Sequence, residues 1–287
     1  VNFTRTRIAP TPSGFLHLGN AYAFALTAAI AQRYGAKLLL RIDDMDRDRV
    51  QPEYVSDIFA SLNFLQIHID EGPGNVADFE RSFSQRLRMP LYEKAIAELI
   101  AKGLVYACRC SRSQGANGCA QRCRERAYAL QEAGLSLRLN TSGRCSLTMK
   151  SPFAALHVEL AEEMRDFVVR RKDGLPSYQI CSLIDDLYFG VDLIVRGKDL
   201  WPSTVAQLYL AACLNLTAFS EITFYHHDLI LNADGAKLSK SAGDTSLQFL
   251  HRQGLSSAAL YKLLGQLAGN RTAVNSFADL IDARELP

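Results

Sequence analysis

Blocks of two different apolar periods alternate along this chain. Thr4–Ala9 can form a strand, and Asn20 is expected to cap a helix from Ala21 to about Arg33, with Gly35 as its stop. Lys37–Ile42 carries Leu38-Leu39-Leu40, a short apolar run suited to a strand buried on both faces. Helices are expected over Glu53–Leu65 and Ser84–Lys102. The alternation resumes later, with strands at Asp192–Arg196 and Ile222–His226 flanking a helix at Ser203–Leu214. Strand–helix–strand units with short connections imply a doubly wound, Rossmann-like α/β core.

Between the halves the pattern fails. Cys110–Asn117 is polar and Asn140–Lys150 is turn-rich, so Val105–Pro152 reads as an insertion into the sheet. The expected division is 1–104 and 153–241 as two halves of a core, 105–152 as the insertion, and 242–287 as a short helical segment.

Composition adds limits. With 287 residues, 48% hydrophobic and 22% charged, the chain is globular, holding one large domain or two modest ones. The formal charge of +2 conceals an asymmetry: residues 101–150 hold nine basic and two acidic side chains. No apolar run is long enough to span a membrane and the N-terminus lacks a signal-peptide pattern, so a soluble cytoplasmic protein is expected. Seven cysteines, four of them between positions 108 and 123, favour metal binding over a disulfide scaffold.

The candidate chemistry begins in the turn after the first strand, Arg7 to Asn20 (RIAPTPSGFLHLGN). Ligands of open α/β sheets bind at the carboxyl ends of strands, and a helix N-terminus offers free N–H groups to an anion. Gly14 and Gly19 let the backbone approach a ligand, and His17 can donate to a phosphate oxygen. A Pro/Gly turn with an incidental histidine would look similar.

Pro10 to Asn20 resembles the HIGH signature of class I aminoacyl-tRNA synthetases in its glutamyl and glutaminyl form. Lys237-Leu238-Ser239-Lys240-Ser241, about 220 residues downstream, matches the KMSKS loop of that family as KLSKS. Arg41–Asp46 (RIDDMD), Asp70–Pro73 (DEGP), Ser84–Tyr92, Ser177–Asp186 and Val195–Thr204 resemble further family segments. The resemblance thus runs from about Arg5 to Ser241.

It implies a Rossmann-like class I core and ATP-dependent activation of glutamate. Pro12, His17, Gly19, Asn20, Lys237, Leu238, Ser239 and Lys240 would bind ATP with Mg²⁺. His17, Lys237 and Lys240 would stabilise charge as pyrophosphate leaves. Arg7, Ala9, Thr11, Asp43, Tyr178 and Arg196 would hold glutamate, the arginines pairing with its carboxylates. Asp43 departs from the family, which usually has Glu there to face the substrate ammonium.

Cys108, Cys110, Cys119 and Cys123 could close a tetrahedral thiolate site for one structural Zn²⁺. Arg109, Arg112, Arg122, Arg124 and Arg126 share that stretch and read as contacts to RNA phosphate, or as a solvated basic face. In the glutamyl-queuosine branch of the family an equivalent insert carries a CxC pair. Only 46 residues follow Ser241, so an anticodon-binding domain like that of a full glutamyl-tRNA synthetase is not expected. The resemblance to that truncated branch implies transfer of glutamate to queuosine in the anticodon of tRNA(Asp), by a monomer. A catalytic fragment charging a 3′ adenosine and a non-catalytic RNA-binding paralogue are the alternatives.

Overall fold

The computed structural model describes residues 2–46, 48–111, 119–143, 146–230, 246–270 and 273–281, with only the backbone of 119–122 described. At its centre β1 (Arg5–Ile8) pairs in parallel with β2 (Lys37–Leu40), Arg5 opposite Lys37. On the other side of β1 lies β8 (Leu193–Gly197). Asp192 N donates to Arg5 O at 3.1 Å, and the Asp192 carboxylate accepts from the Thr4 and Arg5 amides at 2.7 and 3.0 Å. Beyond β8, β9 (Thr223–His227) pairs in parallel from Leu193↔Thr223 to Gly197↔His227. The run β2, β1, β8, β9 is the parallel core expected from the alternating pattern.

Helix α1 (Leu18–Tyr34) crosses behind β1 and is buried over most of its length, which fits an alanine-rich helix between layers. Its cap is His17 rather than Asn20. His17 is extended, its Nδ1 accepts from Gly19 N at 3.1 Å, and Asn20 Oδ1 accepts from His17 N at 3.2 Å. The two side chains thus cap reciprocally, and Asn20 sits inside the first turn. Gly35, at φ 66°, ends the helix as expected.

Helix α2 (Pro52–Phe64) follows. The predicted single helix over Ser84–Lys102 is instead a 3₁₀ turn at Gln85–Arg88 followed by α3 (Met89–Ala101). Pro90 has no amide to donate to Arg86, so an α-helix cannot run through.

The segment 105–152 serves two sheets. β3 (Val105–Cys108) and β4 (Ser136–Leu139) form an antiparallel sheet whose third strand, β7 (Val168–Arg170), lies beyond residue 152. β5 (Leu147–Lys150) hairpins with β6 (Ala155–Val158) and touches the core edge through Lys150↔Thr223. Helix α4 (Cys119–Arg126) packs beside β3. Helices α5 (Tyr178–Tyr188) and α6 (Trp201–Cys213) cover one layer, and α7 (Leu247–Arg252) and α8 (Ser257–Leu267) close the other near α2. No helix among the described residues is long and apolar enough to cross a membrane.

Glu71 bridges in parallel to Leu39 of β2, and the turn that follows it is sterically strict. Gly72 has φ +109°, and a β-carbon there would lie 2.4 Å from Leu40 O. Gly72→Ala should therefore destabilise the fold by about 2–4 kcal/mol, read as a lower urea midpoint with an unchanged slope.

Candidate functional site

A cavity of about 810 Å³ opens where the parallel core meets the antiparallel sheet. Thr11, Asp43, Met45 and Asp46 line it from the core, and Ser136, Arg138, Phe167 and Val168 from the antiparallel sheet. Tyr178 and Gln179, at the first turn of α5, and Cys110 and Ser111 complete the wall. Thr11 is exposed at its edge, whereas Ala9 is half-buried and Pro12 buried in the turn below. Backbone bonds hold that turn: Arg41 N donates to Ile8 O and Asp43 N to Pro10 O, both at 2.9 Å. Asp57 accepts from Leu16 N at 2.8 Å.

Because His17 Nδ1 accepts from Gly19, the neutral ring carries its proton on Nε2, the atom able to donate to an anion. Gly19 is required for this cap, since a β-carbon there would meet the imidazole at 2.9 Å.

Beneath the cavity lies a buried ion network. Arg41 grips Asp43 with two bonds, at 2.7 and 3.0 Å, and reaches Asp186 at 2.7 Å. Arg7 Nε donates to the same Asp186 oxygen at 2.9 Å. Burial opposes charge on all of them, yet the arginines outweigh it and hold Asp186 below the usual carboxylate range. Burial likewise opposes the Arg41 cation, and Asp43 and Asp186 overcome it, raising its pKa well above the ordinary value. A second knot adjoins the first. Asp185 accepts two bonds from Arg88, one from Tyr92 at 2.6 Å and one from Gln85 at 2.9 Å.

Arg196 is placed differently. Both terminal nitrogens donate to Gln207 Oε1 at 3.2 Å, and the guanidinium lies over the Phe224 ring, 5.5 Å from its centroid. Burial lowers its pKa to about 10, with Tyr178 and Asp186 among the neighbours that oppose the shift. Several buried polar atoms of this region have no hydrogen-bond partner among the described residues: Asp186 Oδ2, Arg196 Nε, Gln207 Nε2, Ser177 Oγ and Gln179 Oε1. Such atoms cost free energy until something polar meets them, and here they surround the first turn of α5 and the end of β8.

The structure thus brings Thr11, Asp43 and Tyr178 to one cavity, with Arg7 and Arg196 buried close to its floor. Asp43 is engaged by Arg41, which the sequence reading left without a role. Lys237, Leu238, Ser239 and Lys240 lie outside the described residues. Both ends of their segment are placed at α1, however. His227 packs edge-on against Tyr22 at 5.2 Å, Ser246 bridges to His17, and Leu247 N donates to Leu16 O at 2.8 Å.

The sulfur atoms of Cys108, Cys110 and Cys123 lie within 4.8 Å of one another, and Cys110 and Cys123 are 3.7 Å apart. A tetrahedral zinc with sulfur at about 2.3 Å sets its ligands roughly 3.8 Å apart, so the three thiols fit such an ion. The Cys119 side chain and Cys145 lie outside the described residues; Cys181 is buried beside the cavity and Cys213 is half-buried. Of the basic side chains nearby, Arg124 pairs with Asp166, and Arg109 pairs with Glu132 at 2.6 Å. Arg126 donates to the Tyr128 hydroxyl at 3.1 Å, whereas the side chains of Arg112 and Arg122 lie outside the described residues.

Residues 4–285 match the family model described as tRNA synthetases class I (E and Q), catalytic domain. A glutamyl-Q tRNA(Asp) synthetase of Symbiobacterium thermophilum is 33% identical over 92% of this chain and 86% of its own length. One of Nitratidesulfovibrio vulgaris is 31% identical with the same coverage. A glutamate–tRNA ligase of Coprothermobacter proteolyticus is 30% identical over 93% of the chain, which spans 58% of that enzyme. The fold matches a glutamate–tRNA synthetase structure from Elizabethkingia anophelis with a TM-score of 0.78 at 20% identity, over 99% of this chain and 67% of that one.

Two measurements probe the site's electrostatics. Arg196 is a buried cation without a carboxylate hydrogen-bonded to it, so Arg196→Gln should raise the melting temperature of the ligand-free protein by several degrees. His226 is held neutral by burial and by Arg196, its pKa lowered to about 3 from 6.5. The unfolded chain therefore takes up a proton that the native one refuses. Stability is present above pH 6.5 and is lost as pH falls towards 3, by roughly 2 kcal/mol between pH 7 and 5. His226→Gln should remove that share of the pH dependence of the urea midpoint.

Proposed function

The chain belongs to the class I (E and Q) tRNA synthetase family, and from that premise we propose that it activates glutamate with ATP and transfers it to RNA. The observation that carries this reading is the set of buried polar atoms, Arg196 Nε among them, that lack a hydrogen-bond partner among the described residues, with the Arg7–Asp186 pair close by, at a cavity beside the His17 turn. A small substrate with two carboxylates and an ammonium group satisfies donors and acceptors alike, and guanidinium groups suit carboxylates. Arg7, Thr11, Tyr178 and Arg196, with Ala9 backing the turn, hold glutamate. Asp43 acts on its ammonium from within the Arg41 pair, at longer range than a free carboxylate would.

In the first step a glutamate carboxylate oxygen attacks the α-phosphorus of ATP. An acyl–phosphate bond forms and the bond to pyrophosphate breaks. His17 Nε2–H, the α1 N-terminus at Gly19 and Asn20, the Pro12 turn and the lysines of the KLSKS segment meet the charge that builds on the phosphates, where Mg²⁺ accompanies ATP. Leu238 and Ser239, between Lys237 and Lys240 in sequence, belong to the same proposed ATP-binding segment. In the second step an RNA hydroxyl attacks the activated carbonyl and AMP leaves. No side-chain nucleophile is needed; positioning and charge stabilisation suffice.

The acceptor we favour is queuosine in the anticodon of tRNA(Asp). The relatives named glutamyl-Q tRNA(Asp) synthetase, at 31–33% identity over 92% of the chain, support it, as does the CxC motif beside the cavity. One zinc ion held by Cys108, Cys110 and Cys123, with Cys119 as the fourth ligand, would be structural. A second reading, charging of a 3′ adenosine, is favoured by the DEGP turn and by relatives named glutamate–tRNA ligase.

Incubation with labelled glutamate, ATP and tRNA with or without queuosine separates the two. Label is expected only on queuosine-containing tRNA(Asp), and it should survive oxidation of the 3′ end while the modified base is protected. Label on the 3′ adenosine would instead establish the second reading. Pyrophosphate exchange driven better by another amino acid would reject glutamate as substrate.

A further inference from the structure

Asp166 stands outside every motif that the family resemblance supplies, yet four parts of the chain meet on it. Its carboxylate accepts from the Tyr106 hydroxyl of β3 at 3.1 Å and pairs with Arg124 of α4. It also accepts from the Thr141 amide and hydroxyl, at 2.9 and 3.0 Å. Its own amide donates to Thr141 Oγ1 at 3.1 Å, and its carbonyl accepts from Arg138 of β4 at 2.9 Å. Every polar group of the residue is engaged, and the residue is 4% exposed.

The backbone there is left-handed, with φ 51°, a conformation rare outside glycine that persists only where the surroundings enforce it. The consequence is directional. The next two residues, Phe167 and Val168, line the cavity, as does Arg138, whose guanidinium Asp166 O accepts. On the side-chain carboxylate of Asp166, the partner Arg124 is the neighbour of Cys123 in the thiol cluster, and Arg124 also lies over Tyr106 at 5.3 Å. Asp166 therefore joins the cysteine-bearing helix to the antiparallel wall of the cavity. The glutamate-side groups Thr11 and Asp43 belong to the opposite, parallel-sheet wall.

We propose that Asp166 is a positioning residue for the acceptor half of the reaction: it locks α4 and the thiol cluster to the Arg138–Phe167–Val168 wall against which the RNA acceptor is seated. The proposal rests on the two-step reading above, in naming what that wall receives.

The test uses Asp166→Asn and Arg124→Ala in the full chain. The first keeps hydrogen bonding to Thr141 but removes the ion pair; the second removes the same pair from the partly exposed partner. Arg124→Lys is the conservative control. Glutamate-dependent ATP–pyrophosphate exchange should stay within twofold of wild type in all three. In the transfer step, KM for tRNA should rise about five- to tenfold in Asp166→Asn and Arg124→Ala with kcat changed less, and Arg124→Lys should restore most of the loss. The double variant should be no worse than either single one. Independently of activity, the cluster thiols should react faster with a thiol reagent in both charge-removing variants.

An unchanged KM for tRNA would overturn the proposal, and so would a parallel fall in exchange and transfer, which marks a general folding defect. Unchanged thiol reactivity would overturn the link to α4. Absence of exchange in the wild-type protein would defeat the functional reading instead, leaving the thiol measurement to judge Asp166.

Discussion

Arg7, Arg41 and Asp186 share a buried junction that holds this molecule's two halves in register. Arg7 comes from β1, Arg41 from the residue after β2, and Asp186 from α5. Each ion has lost its water, so each depends on the others: removing one partner of such a junction leaves a bare charge and costs about 3–5 kcal/mol. The parallel strands must therefore stop where they do, and α5 must present its last turn inward. The turn carrying His17, the Asp43 carboxylate and the first turn of α5 then all face one cavity. Asp185, the neighbour of Asp186, repeats the arrangement towards Arg88 and Tyr92 and fixes the Gln85–Arg88 turn.

Around this junction the charges are unevenly matched. Asp186 accepts from two arginines, whereas Arg196, among the described residues, hydrogen-bonds an amide oxygen and lies over an aromatic face, with Asp186 acting on it at longer range. A stabilised interior would have paired or removed that cation. Retaining it, together with the orphaned atoms of Gln207, Gln179 and Ser177, keeps a cavity whose polarity is prepared in advance. The wall opposite is built otherwise. It is a small antiparallel sheet with a thiol cluster at one end, and its apolar residues Leu137, Leu139 and Val169 share one cluster with Leu39, Ile194 and Phe224 of the parallel strands.

How far these features were legible in sequence varied with their range. The parallel strands, α1, α2 and α6 follow from local periodicity and lie within three residues of expectation. The cap of α1 did not, because imidazole can play a carboxamide's part and propensity ranks asparagine first. The helix from Ser84 was shortened by Pro90, a signal that was present in the sequence and outweighed by periodicity. In the site, Thr11, Asp43 and Tyr178 line the cavity and Arg7 and Arg196 lie near it. Arg41, Gln207 and Asp166 went unread. Their significance lies in partners 11 to 145 residues away, and no spacing rule connects an arginine to an aspartate across the fold. Three of the four clustered cysteines are described together, and their closeness in sequence made that the easiest long-lived inference.

The pairing of β1 with residues near position 192 has a consequence for biosynthesis. Arg41 leaves the ribosome 145 residues before Asp186. At about 5–20 residues per second that interval is roughly 7–30 s. Throughout it the first strand lacks its central neighbour, and two arginines destined for burial have no counter-ion from α5. The emerging amino-terminal half is thus an unfinished sheet edge with an apolar helix, and its safe passage depends on delay of collapse. The order of elements along the gene makes this protein a late folder, closing only when its second half has been made.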